Sequence, residues 1–82
     1  MPTYRVLLFA TLRDLAGQQE VAVLLPQEAT VADLRRALGE HFPVLQPYLP
    51  TAIIAVNHAF TTDETPLHPH DEIAAFPPVS GG

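Results

Sequence analysis

Only one stretch of this chain has the length and pattern of a full helix, and that limits the folds open to it. Thr30 offers a hydroxyl at a helix N-cap position, and Asp33 places an acid three residues on. That is close to a capping box, although Glu or Gln is the commoner partner. Val31, Leu34, Leu38 and Phe42 follow at helical spacing, with Arg35, Arg36 and Glu40 expected on the outer face. Pro43 ends the run. Every other apolar run is short and bounded by Gly, Pro or Asn, which is the signature of strands.

Residues 3–9 read as a strand with Tyr4, Val6 and Leu8 on one face and Arg5, Leu7 and Phe9 on the other. Both faces are largely apolar, so this strand belongs at the centre of a sheet. Residues 10–17 read as a short helical turn, with Leu12, Leu15 and Ala16 inward and Gly17 as its stop. Glu20 to Leu25 gives a second strand, closed by Pro26. Residues 43–50 hold three prolines and read as a loop with room for one helical turn. Thr51 to Val56 is a buried strand. Asn57-His58 then suits a tight hairpin, because both residues tolerate positive φ better than most. Ala59 to Thr61 returns as a short strand. Residues 62–71 form a loop that tucks Leu67 inward, and Glu72 to Phe76 is the last strand.

This order predicts an α+β domain: a mixed sheet of four to five strands packed on one main helix, with a body over residues 1–76. One helix cannot cover both faces of such a sheet. If Val6, Leu8, Ile73 and Ala75 face the helix, then Leu7, Phe9, Ala74 and Phe76 face away from it. Phe60 on the short strand extends that second set. A contiguous exposed apolar patch marks a protein interface, unless the loops at 43–50 and 62–71 fold over it.

Residues 77–82 continue as a flexible, extended tail, Pro77-Pro78-Val79-Ser80-Gly81-Gly82. Pro-Pro favours a polyproline II path that projects the last four residues away from the body, over a reach on the order of 20 Å. Gly81 and Gly82 have no Cβ, so they fit a slot too narrow for other residues. The group offered at the tip is the α-carboxylate of Gly82.

Composition removes several classes of function. There is no cysteine, hence no disulfide, thiolate metal site or thiol nucleophile. Four Arg, no Lys and nine acids leave a net charge of −5, without the basic stripe of a nucleic-acid binder. Acidic surfaces steer toward basic partners, so a protein partner is expected. Without Lys, the chain cannot accept an isopeptide bond on its own side chains. No stretch reaches transmembrane length, and a cytoplasmic location is the default expectation. His68-Pro69-His70, with His41 and His58 elsewhere, lacks a third nearby ligand of clear geometry, so these read as loop histidines and no metal is expected.

The stretch 6–17, Ala55-Val56-Asn57 and above all the ending Asp71-Glu72-Ile73-Ala74-Ala75-Phe76-Pro77-Pro78-Val79-Ser80-Gly81-Gly82 resemble the small, sulfur-carrying subunits of molybdopterin synthase across nearly the whole chain. Diglycine alone is shared by all ubiquitin-like carriers, whereas Phe-Pro-Pro-Val-Ser-Gly-Gly is specific. The chain departs from the pattern at His70, where members often have Gly. A turn that needs positive φ would suit His less well.

The resemblance implies a β-grasp, ubiquitin-like fold and a role in molybdenum cofactor biosynthesis. It implies that an E1-like adenylyltransferase uses ATP to attach AMP to Gly82, and that a sulfur-donor sulfurtransferase converts the adenylate to a thiocarboxylate. The tail then enters the larger synthase subunit, in a heterotetramer with two copies of each, and delivers sulfur to cyclic pyranopterin phosphate. On this account Gly82, with Gly81, is the catalytic end, and this chain binds no cofactor itself. Phe60, Phe76, Pro77, Pro78, Val79 and Ser80 meet the partner, and acid–base groups belong to the larger subunit. Arg13 is either a partner contact or a solvated helix residue. Delivery to thiazole, tRNA or cysteine synthesis, conjugation to protein lysines through Gly82, and a plain interaction module stay open as alternatives.

Overall fold

The computed structural model describes residues 1–78. Expectations for Val79, Ser80, Gly81 and Gly82 lie outside the described residues. Among those described, β1 (Thr3–Leu8), β2 (Glu20–Leu24), β3 (Ile53–Val56), β4 (Ala59–Phe60) and β5 (Ile73–Phe76) form one mixed sheet. Its strand order is β2-β1-β5-β3-β4. β1 and β5, far apart in sequence, pair in parallel at the centre, and the remaining neighbours are antiparallel.

The main helix, α2 (Val31–His41), crosses one face of this sheet. Its start is a complete capping box: the Asp33 backbone N–H donates to the Thr30 hydroxyl, and the Thr30 N–H donates to the Asp33 carboxylate. The next free amides are satisfied by the loop ahead of β5, Val31 donating to the Thr65 carbonyl and Ala32 to that of Asp63. Val31, Leu34 and Leu38 are fully buried against Tyr4, Val6, Leu8, Ile54, Ile73 and Ala75. Each such aliphatic side chain contributes about 1.5–3 kcal/mol by leaving water. Tyr4 joins them with its ring fully buried because its hydroxyl donates to the Pro26 carbonyl at 2.8 Å. Burial, and then the Asp71 carboxylate, push the Tyr4 phenol above its ordinary pKa.

Several local details differ from the sequence expectation. The turn after β1 is a seven-residue helix, α1 (Ala10–Ala16), closed by Gly17 at φ 74 with its N–H donating to the Arg13 carbonyl. Residues 43–51 contain two 3₁₀ turns, Pro43–Leu45 and Leu49–Thr51. The second delays β3 to Ile53, because Leu49 accepts from the Ala52 N–H before the chain extends. Arg35, expected on an outer face, is enclosed by these loops. Its Nη1 donates to the Leu49 and Ala52 carbonyls at 2.6 Å each, and its Nε to Asp63 at 2.8 Å. His70 sits in a turn that needs no left-handed residue. Asp71 holds it instead, through its N–H to the His68 carbonyl and its carboxylate to the His68 N–H.

The loops do not cover the second face of the sheet. Leu45, Leu49 and Leu67 all insert into the core on the α2 side. The opposite face stays open.

Candidate functional site

β-sheet register assembles the open face. Side chains alternate, so burying Val6, Leu8, Ile54, Ile73 and Ala75 under α2 turns their neighbours outward. Glu20 pairs with Leu7, Leu7 with Ala74, Ala74 with Ala55 and Ala55 with Phe60, a single row across all five strands. Two register positions closer to the tail, on the same face, Ile53 stands opposite Phe76. The Phe9 ring stacks on Phe76 with centroids 4.6 Å apart and planes 11° from parallel.

The two-residue turn between β3 and β4 fixes that row. Asn57 (φ 52) and His58 (φ 68) are both left-handed, the geometry of a type I′ turn. The Asn57 side chain then locks the hairpin to β5, its Oδ1 accepting from the Glu72 N–H and its Nδ2 donating to Asp71. In consequence Phe60 projects from a short edge strand at 84% exposure. Its ring contributes little to the folded chain and is available to a partner.

Two hollows flank Phe60. Toward the tail, a hollow of about 440 Å³ is lined by Ala10, Ile53, Phe60, Phe76, Pro77 and Pro78, nearly all of it apolar. Across the face runs a trough of about 370 Å³. Its floor is Leu7, Ala55 and Ala74, Phe60 forms one wall, and stacked Phe9 and Phe76 form the other. Glu72 and His58 close the far end, paired at 2.7 Å. A third hollow, between α2 and the Leu49–Thr51 turn, lies on the opposite layer. Arg36 on its rim is already paired with Asp33 at 2.6 Å.

The structure thus gathers Phe60, Phe76, Pro77 and Pro78 around one apolar surface, at the end of the described residues. Arg13 stands apart on α1, 3.6 Å from Asp14. Ile53, Ala10 and the Glu72–His58 pair are site residues that sequence reasoning did not single out. Alternation from Ala55 would have found Ile53. Ala10 carried no signal, since its position follows from a left-handed turn at φ 51. Among the described residues, no three His, Asp or Glu side chains gather at metal-binding spacing, and no helix is long and apolar enough to cross a membrane.

A sheet of this order with one crossing helix, one open apolar face and a prolyl exit strand defines a β-grasp domain of the ubiquitin-like type. Solved structures that it resembles include SAMP1 from Haloferax volcanii, with TM-score 0.86 and 31% identity over 98% of this chain and 99% of that one. One subunit of the complex of subunits 1 and 2 of molybdopterin-converting factor from Helicobacter pylori matches with TM-score 0.66 and 25% identity, covering 98% and 99%. Residues 6–82 match the ThiS family, and the chain belongs to that family. Among curated relatives, the molybdopterin synthase sulfur carrier subunit of Arabidopsis thaliana is 35% identical over 95% of this chain and 81% of its own length. That of Caenorhabditis elegans is 32% identical over the full length of both.

Proposed function

We propose that this chain is the sulfur-carrying small subunit of a molybdopterin synthase, docking to the larger subunit through its open face and delivering sulfur from Gly82. The observation that carries this reading is the convergence of Phe60, Phe76 and the Pro77-Pro78 exit on one exposed apolar surface, in a chain that matches relatives of that name over 81% and 100% of their lengths. An interface anchored there places the partner at the root of the tail, so docking and tail insertion are a single event.

The chemistry follows from the tip. A carboxylate oxygen leaves poorly, so Gly82 needs activation. An E1-like enzyme joins it to AMP from ATP with release of pyrophosphate. A sulfurtransferase then supplies the sulfur that displaces AMP. The resulting thiocarboxylate is ionised at neutral pH and nucleophilic at sulfur, by the logic of a thiolate. Its sulfur attacks a side-chain carbon of the pterin precursor and the carbon–oxygen bond there breaks, the oxygen leaving with the phosphate or, once protonated, as water; hydrolysis of the acyl–sulfur link then frees the sulfur on the pterin and restores the Gly82 carboxylate. Two deliveries complete one dithiolene.

The test combines the intact chain with the larger subunit, activating enzyme, ATP, a sulfur donor and cyclic pyranopterin phosphate. Expected are a carrier mass with one sulfur in place of one oxygen, and dithiolene formation. A chain lacking Gly81 and Gly82 should bind the larger subunit but form no product. Product formation by the truncated chain would overturn the assignment. Recovery of a thiazole or tRNA enzyme as acceptor would redirect it.

A second reading, conjugation of Gly82 to amines of other proteins, is supported by the likeness to small archaeal modifier protein 1, including that from Methanosarcina acetivorans at TM-score 0.79 and 31% identity. It predicts protein adducts in lysate that carry this chain through Gly82. The two readings share the adenylate and are compatible in one chain.

A further inference from the structure

The trough beside Phe60 has a chemistry that plain apolar docking does not use. Its floor is low because Ala55 and Ala74 face each other at its centre, while aromatic rings stand on both sides. At its far end is the Glu72 side chain, 57% exposed and held by His58 alone among the ion pairs of the described residues. Just beyond, Glu20, Asp71 and Glu72 share a second hollow with Arg5. Arg5 reaches Glu20 only at 3.6 Å, so carboxylates outnumber the guanidinium there. An apolar channel that ends on a carboxylate suits a side chain with an apolar stem and a cationic head.

We propose that this trough receives a basic side chain from the docking partner, its stem lying over Ala55 and Ala74 and its head on Glu72. The inference rests on the docking reading above and adds the chemistry of the partner's contact. Arginine fits better than lysine. Its planar head can pair in bidentate fashion with Glu72 while its face lies against the exposed ring of Phe60. In the complex the Glu72–His58 contact yields to the incoming cation, and the aromatic walls exclude water from the new pair, so that removing either partner leaves the other charge desolvated and unpaired. Glu72 is then a specificity-determining residue, since a partner lacking the cation would leave its carboxylate desolvated and unpaired.

The test measures association and dissociation of the larger synthase subunit encoded in the same genome, using the full chain and its Glu72→Gln, Glu72→Asp and Phe60→Ala variants. Salt is varied from roughly 0.05 to 1 M. Glu72→Gln should weaken binding about tenfold at low salt, mainly through faster dissociation. The gap should narrow at high salt, and Glu72→Asp should recover part of the loss. Phe60→Ala should weaken binding at every salt. Glu72→Gln within about twofold of the parent, with Phe60→Ala still impaired, would overturn the cation and leave the docking reading standing. A Glu72→Gln effect confined to association would also overturn it, because it would assign Glu72 to long-range steering. If Phe60→Ala binds as well as the parent, the docking reading itself fails and the proposal with it.

Discussion

Arg35 gives the sharpest test of how the helix layer is held. Its head group bridges three pieces of chain that share no strand: α2, the Leu49–Thr51 turn and the loop at Asp63. The side chain is only 19% exposed, whereas Asp63 is 61% exposed. The two carbonyl bonds at 2.6 Å should therefore matter more than the ion pair. A charged donor to a neutral acceptor contributes about 1.5–3 kcal/mol. The sum is less than two full bonds, because the Leu49 carbonyl keeps the Ala52 N–H as a partner. Arg35→Met retains the apolar stem and removes the head, and should cost about 2–3 kcal/mol. The exposed pair argues that Asp63→Ala costs about 0.5 kcal/mol or less. With a urea m-value near 1 kcal/mol/M for so small a domain, Arg35→Met should lower the unfolding midpoint by about 2–3 M. Its Tm should fall by roughly 10–20 °C. Urea and thermal unfolding followed by circular dichroism would check both values. The reasoning is refuted if Arg35→Met lies within about 0.5 kcal/mol of the parent, or if Asp63→Ala costs as much as Arg35→Met.

Three further outcomes are expected. Phe60→Ala should leave Tm within about 3 °C of the parent, since the ring is already in water, yet cost roughly 2–3 kcal/mol in binding the larger subunit; calorimetric unfolding and binding isotherms give the two values. Gly17→Ala should destabilise by about 1 kcal/mol in denaturant titration, because φ 74 is left-handed although a Cβ there would meet open space. The Thr30 backbone N–H, with its hydroxyl and Arg36 adding to it, holds Asp33 below the usual carboxylate range against the opposing effect of burial. A depressed folded-state pKa gives stability that is present above the unfolded value, near 3.9, and lost as pH falls through the folded one. The stability gap between the parent and Asp33→Asn should thus be full at neutral pH and shrink below about pH 4, as acid-to-neutral unfolding series would show.

Much of the open face was legible because strand alternation and turn length are rigid rules. A two-residue turn at Asn57-His58 forces Val56 onto Ala59 and Ala55 onto Phe60, which puts Phe60 on the outward face by counting alone. Apolar residues on both faces of β1 and β5 announced central strands. Two features were not legible. Helical spacing put Arg35 outside, since the wheel knows nothing of loops that return from ten or more residues away to offer carbonyls. The trough also escaped notice. Glu72 and His58 belong to different turns, and only the Asn57 lock to the Glu72 backbone brings their side chains to one end of it. Contacts made by long-range closure leave no periodic trace in the sequence.

The parallel pairing of β1 with β5 also bears on how the cell makes this molecule. The middle of the sheet is supplied by residues 73–76, the last strand in chain order among the described residues. A nascent or truncated chain that stops short of β5 holds two unconnected hairpins, β1–β2 and β3–β4, each with a bare edge where the centre should be. Such hairpins are marginal alone, so the domain cannot close before its exit strand is made.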